Sequence, residues 1–499
     1  MWILLNGFVP EEEGRPVIIR IRRMPPIRQA NLFGERKMTT YKILGFATAT
    51  AVVALLSGTG PASAAPTFFD SFTPLPSSVP AGSLPESQPL QLSSPYFSQK
   101  TINANDAGPQ NGGVKLGDNW DMLTANENGA QAGRYLFTPY ETGNSGVRRL
   151  DLATGQAVSI VAPGTQGFAS GDASRWTPFG TYLTGEESWG AGSTKGRLFE
   201  VTNPLAAPGS VNFVERNVIP RVAHEGLSFD KQNNMYFIDE LNGGSVYKYT
   251  SATPTEGSTF FEAGQTFVLK VGAGGNFEAT GGATWVPITN ATGGALAGIP
   301  TVVVNGQTVI DGRAAADVVG GTAFNRPEDL EMKTLANGQQ ILFFNATDTH
   351  KTFSIGLDGA TTATVKLFAS RDSINALTGL AVGSQFANPD NLAIDAEGNI
   401  YIVEDQPGGQ ADIWFALDAD GDGVAESIGR WASLSTLGAE PTGLYFDPFN
   451  PNVAYINVQH ADSDVDRTIQ ITAVPEPASA TLLLAGLLAL GGTMRRKKA

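Results

Sequence analysis

NPDNLAIDAEGNIYIVED, residues 388–405, holds two short apolar stretches, 392–394 and 400–403, around an Asp-Ala-Glu-Gly-Asn turn. Alternation of apolar and polar residues over so few positions, broken by Gly, Asn and Asp, marks a β-hairpin. The same plan recurs in HEGLSFDKQNNMYFIDE (224–240), RPEDLEMKTLANGQQILFFNATD (326–348) and EPTGLYFDPFNPNVAYINVQH (440–460). Each has an acid near its start, then a leucine, a turn bearing Asn or Gly, a second aromatic or aliphatic strand, and a closing acid or histidine. The leading acids, Glu225, Glu328, Asp390 and Glu440, are 103, 62 and 50 residues apart. Four-stranded propeller blades recur about every 40–50 residues, so the first gap has room for two units. The expectation is an all-β chain, a β-propeller of about six blades with insertions. The Gly-, Ala- and Thr-rich stretch 251–320 is the foremost insertion.

In a propeller the innermost strand of each blade starts at one mouth of the axial channel. Acids at the same place in several blades therefore converge. Carboxylates brought together repel unless they are protonated or bound to cations. Four acids in phase point to a cation cluster, whereas any one of them alone is as readily a turn cap on backbone N–H groups. Composition narrows the cation. The 499 residues include no Cys and only His224, His350 and His460, which removes disulfides, thiolate ligands and histidine cages. Carboxylates and carbonyls remain, and they suit hard cations such as calcium. With 48 Asp+Glu against 33 Lys+Arg the net charge is −15, so there is no basic face for nucleic acid. No Gly-x-Ser-x-Gly elbow and no phosphate-binding P-loop occur.

The ends read as addresses. MTTYK (38–42), the apolar run 43–56 and PASA (61–64) have the basic start, apolar core and small-residue cleavage site of a secretory signal. A membrane anchor is the other reading of that run. Residues 1–37 then read as an over-extended start, 38–64 as the signal, 65–115 as an N-terminal arm and 116–473 as the propeller. At the far end, Pro475, Glu476 and Pro477 precede the apolar run 478–494 and a basic tip, RRKK (495–498). That run is just long enough for a transmembrane helix, with the tip on the cytoplasmic side. Residues 474–499 resemble the PEP-CTERM sorting signal. The resemblance implies cleavage by an exosortase-type enzyme and delivery to the envelope, cell surface or extracellular matrix of a Gram-negative bacterium. A plain C-terminal anchor gives nearly the same location.

Five segments in order, TPFGTYLTGEE (177–187), HEGL (224–227), NRPEDL (325–330), NPDNL (388–392) and NVQH (457–460), resemble the PhoX-type alkaline phosphatases. The resemblance implies a secreted six-bladed propeller that hydrolyses phosphomonoesters with calcium and iron. Carried over by residue, it implies that Glu186 or Glu187, together with Glu225, Glu328, Asp390 and Glu404, are metal ligands in or beside the cluster and that Arg326 binds phosphoryl oxygens. A planar guanidinium matches a phosphate, although an ion pair with Glu328 or Asp329 is an equally simple role. Gly185 departs from the pattern, because the family has an iron-ligating cysteine there. Calcium alone, another ligand set, or loss of activity would follow. Arg22-Arg23 also stands too far from the apolar run to form a twin-arginine signal.

Two further features carry chemistry. DADGDG (418–423) sets Asp418, Asp420 and Asp422 at the alternate positions that open an EF-hand-type calcium loop. Position twelve is Gly429, with Glu426 at position nine, so a structural calcium and a plain turn both fit. His460 ends a repeat unit and suits acid–base catalysis, metal ligation or a structural role. The leading expectation is a calcium-dependent phosphomonoesterase. A calcium-dependent lactonase-like propeller and a non-catalytic calcium-binding propeller of the extracellular matrix are its rivals. A monomer is expected, because a propeller closes its own sheet edges.

Overall fold

The computed structural model describes residues 67–405 and 410–475. The signal, the stretch before it, and the tail with Glu476, Pro477 and the expected transmembrane helix lie outside the described residues. Among the described residues no helix is long and apolar enough to cross a membrane.

The chain is all-β and forms a six-bladed propeller of antiparallel four-stranded sheets. The first blade is Thr124–Ala125, Tyr135–Pro139, Val147–Asp151 and Gln156–Val161. The second is Arg175–Trp176, Tyr182–Gly185, Leu198–Val201 and Phe213–Glu215. The third is His224–Phe229, Met235–Asp239, Val246–Ser251 and Gly264–Val271. The fourth is Pro327–Thr334, Gln340–Ala346, Lys351–Leu357 and Thr362–Ser370. The fifth is Pro389–Ile394, Ile400–Glu404, Asp412–Leu417 and Ser427–Leu434, with Leu90–Leu92 added at its edge. The sixth is Glu440–Phe446, Val453–Gln459 and Arg467–Ala473, completed by Phe97–Ala104.

The second strands show why the repeat reads as strongly apolar. In the third to sixth blades every residue of the second strand is buried, because neighbouring blades pack on both of its faces. Such a strand needs apolar residues at successive positions, as a doubly covered strand does. The 251–320 stretch holds the outer strand of the third blade, a hairpin of Thr301–Val304 and Gln307–Ile310, and the helix Gly312–Val319 capped by Asp311. Its strand Gly281–Pro287 pairs with both the third and fourth blades and welds them into one sheet.

The segment expected as an N-terminal arm is part of the propeller. Phe97–Ala104 pairs along Arg467–Ala473, so the two ends of the chain close the ring. Upstream of it, Phe69 is fully buried among Phe97, Trp431 and Phe446, and Trp431 Nε1 donates to its carbonyl. Burial of one such ring stabilises by about 1.5–3 kcal/mol.

Strand directions fix the ends. In the sixth blade Val453–Gln459 runs towards the face where the axial cavity opens, and Arg467–Ala473 runs back from it. Ala473 and Val474 therefore sit on the opposite face, where Val474 N–H donates to Tyr96 O.

Candidate metal centre

One register places the site. At the cavity end of each blade one residue at or beside the end of the second strand pairs with one at or before the start of the inner strand: Tyr140 with Trp120, Glu186 with Gly171, Asp239 with His224, Ala346 with Pro327, Glu404 with Pro389 and Val458 with Pro441. The next inner residues are Asp121, Asp172, Glu225, Glu328, Asp390 and Thr442. The residues that follow the paired second-strand positions are Glu141, Glu187, Glu240, Thr347, Asp405 and Gln459. In five blades a backbone bond locks this corner: Glu141 N–H donates to Asn119 O, Glu187 to Ser170, Glu240 to Ala223, Thr347 to Arg326 and Asp405 to Asn388. Asn119, Ser170, Arg326 and Asn388 take the left-handed backbone, with φ of 53°, 46°, 45° and 44°. That conformation is uncommon outside glycine, and here it turns the chain into each inner strand. A bulge follows in the third, fourth and fifth blades and re-aims the acid.

The result is an axial cavity of about 370 Å³ walled by nine carboxylates, one guanidinium and one imidazole. The carboxylates are Asp121, Glu141, Asp172, Glu187, Glu225, Glu328, Asp390, Asp405 and Glu440. Burial first, and then neighbouring carboxyl groups, push Asp172, Glu187, Glu225, Glu328, Asp390 and Glu440 well above the ordinary carboxylate range. The same causes raise Asp121 to about 7. Oxygens of Asp172, Glu225 and Asp405 are buried with no hydrogen-bond partner. Glu225, Glu328 and Asp390, from three successive blades, each offer an oxygen within 4.8 Å of the others. Orphaned, mutually repelling oxygens on a rigid frame fit hard cations.

Arg326 lies over this wall. Its Nε donates to Glu240 Oε1 at 3.1 Å, and its Nη atoms lie 3.0 Å from Glu328 and 3.8 Å from Asp405. At the rim His460 Nε2 is 3.2 Å from Glu141 and 3.4 Å from Glu440. The hydrogen bond with Glu141 raises the imidazole above its usual range.

The expected ligands divide. Glu187, Glu225, Glu328 and Asp390 line the cavity, with Arg326 and His460, but Glu186 and Glu404 do not. Glu186 is spent on Arg197 (Nη2 at 2.6 Å, Nε at 2.8 Å) and on the N–H groups of Ala169 and Arg197. Glu404 accepts from Ala387 N–H, Asp412 N–H and Trp414 Nε1. Each is the last paired residue of its corner and is bonded within its blade, and the acid after it takes the channel. Glu440, expected at the axis from its phase in the repeat, lines the cavity too, whereas nothing in the sequence singles out Asp121, Glu141, Asp172, Glu240 or Asp405. The inner strands of the first two blades have only two residues each, too few for a visible repeat.

Gly185 faces His224, not the cavity: a Cβ built there would collide with His224 Cβ. A thiolate-ligated iron does not fit this chain. Asp418, Asp420 and Glu426 do bring oxygens within 4.8 Å of one another, away from the cavity. Lys333 pairs with Asp418 at 3.3 Å and Lys366 with Asp422 at 3.1 Å, so lysines already serve that loop.

Six blades around an axial wall of carboxylates define a propeller whose channel is built for cations. The chain belongs to the alkaline phosphatase PhoX family, a metal-dependent group whose model matches residues 164–462. The PEP-CTERM protein-sorting motif matches residues 473–498. No curated protein matches the chain. Among solved structures, a protein of unknown function from Bacteroides thetaiotaomicron is 11% identical with a TM-score of 0.40, covering 75% of this chain and 76% of its own. The polysaccharide lyase Uly1 is 11% identical with a TM-score of 0.33, covering 72% and 90%. A putative glucose dehydrogenase from Thermus thermophilus is 13% identical with a TM-score of 0.31, covering 64% and 85%.

Proposed function

We propose that this protein is an exported, calcium-dependent phosphomonoesterase of the PhoX family. The supporting observation is the axial trio Glu225, Glu328 and Asp390 beneath a guanidinium that reaches the same cavity. Calcium, when bound, neutralises phosphoryl charge and activates the nucleophile. The chain's own residues do the rest. Arg326 holds two phosphoryl oxygens in its planar fork, and Glu240 orients that fork through Nε. His460 stands at the rim, where it passes a proton to the leaving oxygen. Unaided, the carboxylate wall would repel the substrate, so catalysis needs the cations. The unit acting is the propeller with its closing strand Phe97–Ala104, as a monomer. The signal exports it, and an exosortase sorts it through Pro475, Glu476 and Pro477 to the surface of a Gram-negative cell.

The test is hydrolysis of a chromogenic phosphomonoester at alkaline pH with calcium, with and without chelator. The expected result is turnover that the chelator abolishes. Arg326→Ala should lower kcat/KM roughly ten- to a hundred-fold, the worth of hydrogen bonds to a charged group. The lack of room for a thiolate at Gly185 favours a second reading, a calcium-binding propeller without catalysis. Bound calcium without turnover would select it, and turnover of lactones alone would select a lactonase.

A further inference from the structure

A second cavity, of about 350 Å³, lies between the third and fourth blades, at the hairpin turns remote from the axial acids. Asp230, Asn234, Tyr236, Gln340 and Asp358 line it, and they offer donors and acceptors that suit hydroxyl groups. Lys248, in the third strand of the third blade, lines it too.

Lys248 is the only buried lysine among the described residues, at 3% exposed. Tyr236 and Phe267 stand opposite it in the neighbouring strands. The ring centroids of Phe267 and Trp285 lie 4.9 and 5.1 Å from Nζ, and Trp285 comes from the inserted strand that joins the two blades. The ring faces hold the amine in place but lend it no acceptor. Nζ donates to Ala360 O at 2.5 Å, and among the described residues no carboxylate pairs with it. Lys115, Lys195, Lys333, Lys351 and Lys366, by contrast, each pair with an acid. A buried amine without a counter-ion loses the solvation that favours its charged form. Burial draws Lys248 down to about 8, with Asp230 pulling the other way. Such an amine keeps a free lone pair near neutral pH and attacks carbonyl carbon.

We propose that Lys248 is a carbonyl-binding site, whose amine condenses reversibly with a small hydroxyaldehyde or hydroxyketone seated in this cavity. Nζ bonds to the carbonyl carbon as the π pair moves to oxygen. That oxygen leaves as water with both amine protons, and a C=N bond to Lys248 remains. The inference does not rest on the phosphatase reading, and its test contains no phosphoester.

The test treats the folded protein with glycolaldehyde and cyanoborohydride, which reduces an imine to a stable amine, and maps the adducts by mass spectrometry. At about pH 8 roughly half of the Lys248 amine is uncharged, against under about 1% for an ordinary lysine. Lys248 should therefore gain its hydroxyethyl group roughly ten-fold faster than the exposed Lys231. That ratio should shrink at about pH 10, where ordinary lysines also lose their charge. Lys248→Arg should lose the fast adduct and keep the slow ones. Unfolding the unaltered protein in guanidinium chloride should erase the advantage of Lys248, a check that needs no variant. The proposal fails if Lys248 reacts no faster than Lys231 in the folded protein, which would leave it a packing group sealed by Ala360. It also fails if the advantage survives unfolding, or if the fast adduct persists in Lys248→Arg.

Discussion

Glu404 and Asp405 are chain neighbours with opposite surroundings. Glu404 satisfies two backbone N–H groups and the Trp414 indole inside the fifth blade. Asp405 lines the cavity and leaves an oxygen without a partner. In Glu186–Glu187 the first acid is likewise tied to Arg197 while the second lines the cavity, and in Asp239–Glu240 the first is tied to Arg313 while the second accepts from Arg326. Side chains alternate along a strand, so which acid faces the axis depends on where the strand ends. Strand ends are not visible in a run of two acids, which is why Glu186 and Glu404 read as ligands. The two roles are separable. Glu404→Ala strands three donors, and at about 1–3 kcal/mol each for unsatisfied buried groups it should cost about 3 kcal/mol or more. Asp405→Asn should leave urea stability unchanged and weaken calcium binding in a calorimetric titration. Loss of calcium binding in Glu404→Ala with unaltered stability would reverse the assignment.

The hairpins were legible because one turn chemistry recurs. Asp230, Asp395 and Asp447 each accept from the turn N–H groups that follow, and Tyr236, Tyr401 and Tyr455 donate back to them. That pairing sits in three of the four recognised units and holds the inner and second strands in register. The fourth, 326–348, lacks the acid at the turn but shares the leading acid, the leucine, an Asn-Gly turn and the apolar second strand. The closing strand was not legible, because its partner lies at the far end of the chain, as Lys100 opposite Gln470 and its neighbours show. Pro- and Ser-rich flanks made that segment read as an arm. Phe69 tests how far this closure carries stability. Phe69→Ala should lower the unfolding free energy by about 3–5 kcal/mol, as deletion of a buried ring does. Phe449→Ala, at a half-exposed ring on a turn, should stay within about 0.5 kcal/mol. Equal denaturation midpoints for the two variants would show that the seam is not closed by Phe69.

Over the whole molecule the cavity sets a pH dependence. Asp121 is raised from 3.8 to about 7 and Asp329, behind it, from 3.8 to about 8, burial being the first cause of both. A carboxyl raised on folding binds a proton in the native state that the unfolded chain has already released. Its contribution is complete below the unfolded value and is lost as pH rises through the folded one. The window for these two groups therefore runs from about pH 4 to about pH 8. The chelated protein should melt at steadily lower temperature across it in scanning calorimetry. Calcium should flatten that fall by taking the proton's place. A chelated protein that melts higher at about pH 8 than at about pH 5 would contradict this account.

The last described strand of the sixth blade carries the chain away from the cavity. Whatever grips the protein beyond Val474 grips it by the back of the disc. A tether attached there would leave the acid-lined mouth on the face turned away from its support. Severing the tail would change where the protein resides and how far it travels, not which solutes can enter.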